Sequence, residues 1–178
     1  MAKYNFSTDL SVKGIKNLQK QLLYYKNNTL QHKVDLLAKT LADKGVDFAQ
    51  VNVAKLDAIF TGELIASIYT KFGESGKGEA VFYVVADSSH AVFVEFGTLG
   101  SLGGKQEYPY PFPEGVEWKY GSGKHIIQRE NGEYGWFYKT DDGKVYWSSG
   151  MDARPFMYET AMELRQIVEQ TAKEVFGK

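Results

Sequence analysis

The C-terminal run that opens at Ala153-Arg154-Pro155-Phe156 constrains the fold most. Proline fixes φ near the helical value and lacks the N–H that a first helical turn leaves unpaired, so Pro155 suits the first helical position. Met157, Ala161, Leu164, Val168, Ala172 and Val175 then recur at three- and four-residue steps, an apolar stripe along one face. Glu159 and Glu163 favour the N-terminal half of this helix through its dipole, and Gly177 suits its end. Such a stripe is stable only when another layer covers it.

Candidate layers lie upstream. Tyr4, Phe6, Thr8, Leu10 and Val12 alternate with polar residues and predict a strand. Ile15, Leu18, Leu22 and Tyr25 predict an amphipathic helix, and Asn27-Asn28-Thr29 predicts a break with N-cap chemistry. Leu30, Val34, Leu37 and Leu41 make the next helical face; Gly45 either ends this helix or sits inside it, and the helical character of residues 46–56 favours continuation. From Ile68 the period shortens. Residues 68–72 and 80–86 read as strands joined by a Gly-rich turn over 73–78, a hairpin. Residues 90–96 read in two ways: Ser88 or Ser89 can cap a short helix that Gly97 ends, while the composition is that of a strand; the helical reading is the expectation.

Two short stretches read as one structural unit: Val94-Glu95-Phe96-Gly97-Thr98, and Gly150 to Phe156. Between them, residues 99–149 form an excursion rich in Gly, Pro, Tyr and Trp. Tyr108 to Pro113 alternates aromatic and proline residues and is extended. Trp136-Phe137-Tyr138-Lys139, Asp141-Asp142-Gly143 and Lys144-Val145-Tyr146-Trp147 predict a second hairpin, because Asp-Gly supplies the positive φ of a tight turn. The fold class is α+β: two N-terminal helices, a small antiparallel sheet, an aromatic-rich hairpin excursion, and a C-terminal helix packed on the sheet. At 178 residues the expectation is a single domain, 1–178, with 99–149 inside it.

No residue pattern points to catalysis. Gly73-Glu74-Ser75-Gly76-Lys77-Gly78 looks like a phosphate loop, but that pattern needs Gly where Lys71 stands and Ser or Thr where Gly78 stands. A hairpin turn explains it better. His32, His90 and His125 are scattered, without a metal-site spacing, and there is no cysteine. Ser88-Ser89-His90 lacks a nucleophile elbow. Asp141 and Asp142 are neighbours in a turn, badly placed to flank one bond. The expectation is therefore no enzyme, no cofactor, no metal and no small-molecule substrate. A formal charge of -1 gives no case for nucleic-acid wrapping. No apolar run approaches the roughly 20 residues that cross a bilayer, and Met1 is not followed by an apolar leader. Glu95 and Arg154, the charged members of the two paired stretches, are expected to meet as a partly shielded ion pair.

The order of these stretches resembles the tail-component family of siphophages. The likeness rests on Glu95-Phe96-Gly97-Thr98 after a strand, a Gly/aromatic excursion, and Ala153-Arg154-Pro155-Phe156 opening the last helix. Thr61-Gly62-Glu63-Leu64 with Ser67-Ile68, the N-terminal helix pair, Tyr108-Pro109 and Gly135-Trp136 fit as well. The resemblance implies a structural virion protein, a tail-completion or neck component at the head–tail junction. It implies a ring, a hexamer in the assembled neck, with neck, head-completion and tail proteins as partners. It places the protein in the virion, and in the host cytoplasm during assembly. Glu95, Gly97, Thr98, Trp118, Trp136, Trp147, Arg154, Pro155 and Phe156 are then the structural and interface candidates. A rival reading starts from the hairpin around Trp136 and Trp147, whose cadence is similar to the repeats of modules that bind cell-wall sugar or choline. Those modules stack several copies to bury a core, and here there is one.

Overall fold

The computed structural model describes residues 6–58, 62–118, 126–140 and 142–177. The elements in order are α1 (Val12–Tyr24), a π-helical turn (Tyr25–Leu30), α2 (Gln31–Lys55), α3 (Glu63–Ala66), β1 (Ile68–Gly76), β2 (Glu79–Ala86), α4 (Ala91–Phe96), a 3₁₀ turn (Gly100–Gly103), β3 (Ile127–Gln128), β4 (Tyr134–Lys139), β5 (Val145–Ser148) and α5 (Phe156–Phe176). The α+β class holds. The chain gathers into two compact units. The first comprises Met1–Phe48, Ile68–Val85 and Ala161–Lys178; the second comprises Ala49–Ser67 and Ala86–Thr160.

In the first unit the C-terminal helix, the hairpin and α2 converge at Gly45. A Cβ at Gly45 of α2 would lie 2.7 Å from Val84 Cγ2 of β2 and 3.1 Å from Leu164 Cδ1 of α5, so the three elements meet where the side chain is missing. Gly45 thus sits inside the helix because the space is already filled, at the cost of some helix propensity. Lys44 Nζ donates to the fully buried Thr171 at 3.2 Å, and Thr70 donates to Asp43 at 3.2 Å. The β1–β2 turn is clamped to α2. Gln31 accepts from Gly78 N at 2.7 Å and donates to Glu79 O at 2.9 Å, while Ser75 donates to Asp35 at 2.6 Å. The two turn residues, Lys77 and Gly78, have φ of 56° and 87°, the conformation that a two-residue hairpin favours. The phosphate-loop look-alike is the end of β1 and this turn: residues 73–76, expected in the turn, continue the strand, and only Lys77 and Gly78 lie between β1 and β2.

Two expectations fail at the N-terminus. The strand predicted over residues 4–12 does not form in its described part, from Phe6, which is irregular and then helical; Tyr4 and Asn5 lie outside the described residues. Its alternation loses to cap chemistry. Asp9 accepts from Ser11 N and Oγ, and Ser11 Oγ accepts from Gly14 N at 2.9 Å, the N-cap of α1. The predicted break at Asn27-Asn28-Thr29 is a widened π turn instead, and the helix runs on. Asn28 donates its amide to Tyr24 O at 3.0 Å, satisfying the backbone locally rather than capping a new helix.

The second unit has an apolar centre of Ala49, Val53, Leu64, Ala91, Val94, Leu99, Ala153 and Phe156. One polar ladder crosses it: Asn52 donates to Thr160 at 3.3 Å, and Thr160 donates to Phe156 O at 2.7 Å. The helical segment expected over 90–96 forms as α4. The second hairpin also forms, in the register Trp136↔Ser148, Phe137↔Trp147, Tyr138↔Tyr146 and Lys139↔Val145. A short strand, β3, adds to it through Ile127↔Gly135 and Gln128↔Tyr134, which the sequence pattern does not signal. Asp141 and His125 lie outside the described residues.

Candidate functional site

The two stretches read as one unit close on each other. Thr98 and Met151 form an antiparallel bridge: Thr98 N donates to Met151 O at 2.9 Å, and Met151 N donates to Thr98 Oγ1 at 2.9 Å. Arg154 N donates to Val94 O at 2.8 Å. Gly97 makes this possible. Its φ is 71°, and a Cβ there would lie 2.7 Å from Ala153 N. Gly150 does the same from the other side, with φ 81° and Thr98 O 2.6 Å from the Cβ position. The excursion adds a third strand of contacts, since Ala153 N donates to Gln106 O and Gln106 N donates to Asp152 Oδ1.

Glu95 is the centre of the junction. Pro155 immediately precedes α5, and its carbonyl accepts the first helical bond from Glu159 N at 3.0 Å. It therefore occupies the N-cap position, one residue before the first helical position predicted for it. An N-cap side chain normally accepts from the second or third helical N–H, and proline has no acceptor. Glu95 supplies one from α4. Its carboxylate accepts from Met157 N at 2.9 Å and Tyr158 N at 3.2 Å. Tyr108, from the excursion, donates its hydroxyl to the same carboxylate.

The expected Glu95–Arg154 ion pair is not formed. The Glu95 carboxylate, buried with 7% exposure, is held by helix N–H groups instead. The half-buried Arg154 has no ion-pair partner among the described residues, and lines a cavity of about 450 Å³ with Leu64, His90 and Val94. The physical reason is geometric. Position 154 gives its backbone N–H to Val94, while the helix terminus one residue later presents two unpaired donors to the carboxylate.

Burial pushes the Glu95 carboxyl above its ordinary value, with the Glu159 charge adding to the effect; the three hydrogen bonds pull the other way. Burial and the Glu95 charge push the Tyr108 phenol up to about 12, so it remains a donor. Around this pair lies an aromatic cluster. Phe96 contacts Tyr108 at 4.9 Å, Phe112 at 5.5 Å and Trp118 at 5.6 Å, and Tyr110 stacks on Tyr158 at 3.7 Å. Trp118 Nε1 donates to Gly97 O at 2.8 Å. Phe156 is fully buried beneath.

Seven of the nine candidates thus belong to the junction: Glu95, Gly97, Thr98, Trp118, Arg154, Pro155 and Phe156. Trp136 lies beside it, lining a cavity with Phe93, Thr98 and Met151. Trp147 belongs to the β4–β5 hairpin. There the Arg129 guanidinium sits 3.9 Å over its ring, and Gly135 leaves room for its indole edge. The protein's own cation thus covers one face of the Trp147 ring. Tyr108, Gln106 and Asp152 complete the junction without being among the candidates: Tyr108 lies in the extended Tyr-Pro run and Asp152 in the stretch 150–156, while Gln106 carries no sequence signal.

No known protein family, curated protein or solved structure matches this chain.

Proposed function

We propose that the protein is a structural component of a tailed siphophage or prophage virion, a tail-completion or neck component at the head–tail junction that acts in virion assembly. Its partners are further copies of itself, in a ring that is a hexamer in the assembled neck, and the neighbouring neck, head-completion and tail proteins. It resides in the virion, and in the host cytoplasm during assembly. The observation that supports this reading is the closure of the junction. The stretches that carry the resemblance, residues 94–98 and 150–156, are joined by backbone hydrogen bonds, and Glu95 completes the terminus of α5. The order of those motifs therefore has a structural purpose, to hold a long aromatic segment between two anchored ends.

Complementation tests the proposal. A phage carrying a deletion of this gene is expected to fill heads and build tails that do not join, and the wild-type gene supplied in trans restores joined particles. Purified particles should contain the protein at the neck by immuno-electron microscopy. Joined, infectious particles from the deletion phage would overturn the reading.

A further inference from the structure

The charges of this chain are divided between the two units. The first unit carries thirteen Lys and Arg against nine Asp and Glu, a net +4; the second carries eight against thirteen, a net -5. All of the first unit's surplus sits in one place. Residues 12–26 contain Lys13, Lys16, Lys20 and Lys26 and no acidic residue. This stretch is α1 and the start of the π turn.

α1 buries none of its residues. Ile15, Leu18, Leu22 and Leu23 line a shallow groove on it, with Ile15 50% and Leu23 51% exposed. The spacing places an apolar stripe beside a lysine flank, the pattern of a helix that lies in a partner's groove. In the second unit, the segment after Gly97 presents the complement. Leu102, Phe112 and Val116 are exposed large apolar residues, and Glu107, Glu114 and Glu117 lie among them. Phe112 and Glu107 border a cavity of about 260 Å³ whose other walls include Phe96, Tyr108 and Trp118.

We propose that α1 is an arm that docks on the aromatic, acidic surface of residues 99–118 of a second copy. Like charge disfavours pairing of two arms, whereas arm against second unit brings opposite signs together. The contact joins different surfaces on the two copies, so it repeats head to tail and closes a ring when the rotation permits. The inference rests on the ring reading above and names the contact that would make the ring.

Sedimentation velocity of the full-length protein across a concentration series tests it. Wild type is expected to self-associate reversibly, with affinity falling on the order of tenfold or more between low and high salt. The double variant Lys16→Glu/Lys20→Glu and the single variant Glu114→Lys should each remain monomeric with unchanged circular dichroism. Mixing these two variants should restore association, because the reversed arm meets the reversed surface. The chain has no native cysteine, so Leu23→Cys reports the arm's neighbour by cross-linking. Three results would overturn the proposal: a monomer at every concentration, association indifferent to both variants, or arm-to-arm disulfide dimers. If the arm contact holds and the deletion phage is still not rescued, the neck reading fails and the arm contact stands.

Discussion

Glu95 is held by three donors in a place that its charge does not favour. Truncation to alanine leaves two half-buried helix N–H groups without acceptors, each costing up to about 1–3 kcal/mol. Glu95→Ala should therefore lower unfolding stability by several kcal/mol in denaturant titration, and Glu95→Gln, which keeps one acceptor, by less. The pH dependence has a definite sign. Because burial raises the folded-state pKa, the contribution of Glu95 is fully present below the ordinary glutamate value of 4.5 and is lost as pH rises through the raised one. Glu95→Gln is expected to flatten the stability profile in that window; an unchanged slope would show that Glu95 does not titrate there. Gly97→Ala carries a different penalty. A positive φ for a non-glycine residue costs about 1–3 kcal/mol, and the contact with Ala153 N adds to it. Thermal melting should show a drop of at least several degrees.

At the scale of elements, Gly45 tests how tightly α2, β2 and α5 meet. Alanine gains up to about 1 kcal/mol of helix propensity. Against this, the new Cβ pushes on Val84 and Leu164, and overpacking costs about 1–3 kcal/mol. Gly45→Ala should be net destabilising, and a rise in melting temperature would show that the seam can relax. The excursion is a second case. Replacing residues 99–149 by a Gly/Ser bridge removes Leu99 from the core, Tyr108 from Glu95 and Trp118 from Phe93 and Phe96. The shortened protein should lose cooperative unfolding of the second unit, seen as loss of amide protection in α4 and the first turns of α5 by hydrogen exchange.

At the scale of the whole molecule, α1 is the part whose loss the fold should tolerate. It buries no residue, so a chain beginning at Lys26 should keep near-native circular dichroism and melting temperature. A large loss of stability in that truncation would mean that α1 supports the body directly.

The sequence by itself determines the elements whose signals are local. The two hairpins follow from turn residues and strand composition, and α5 from its stripe and proline, whereas residues 90–96 read as helix or as strand and the structure decides for α4. The sequence also pairs residues 94–98 with 150–156. What it misstates is decided by competition between neighbours. Asp9 and Ser11 cap a helix where alternation favours a strand, and Asn28 widens a turn where its type favours a break. What only the tertiary structure decides is the partner of each group. Gly45 of α2 adds nothing to the hydrophobic pattern and matters because β2 and α5 come close to it. Glu95 pairs with a helix terminus and not with Arg154, because the strongest unpaired donors near it are backbone N–H groups, which every residue but proline carries and no sequence distinguishes.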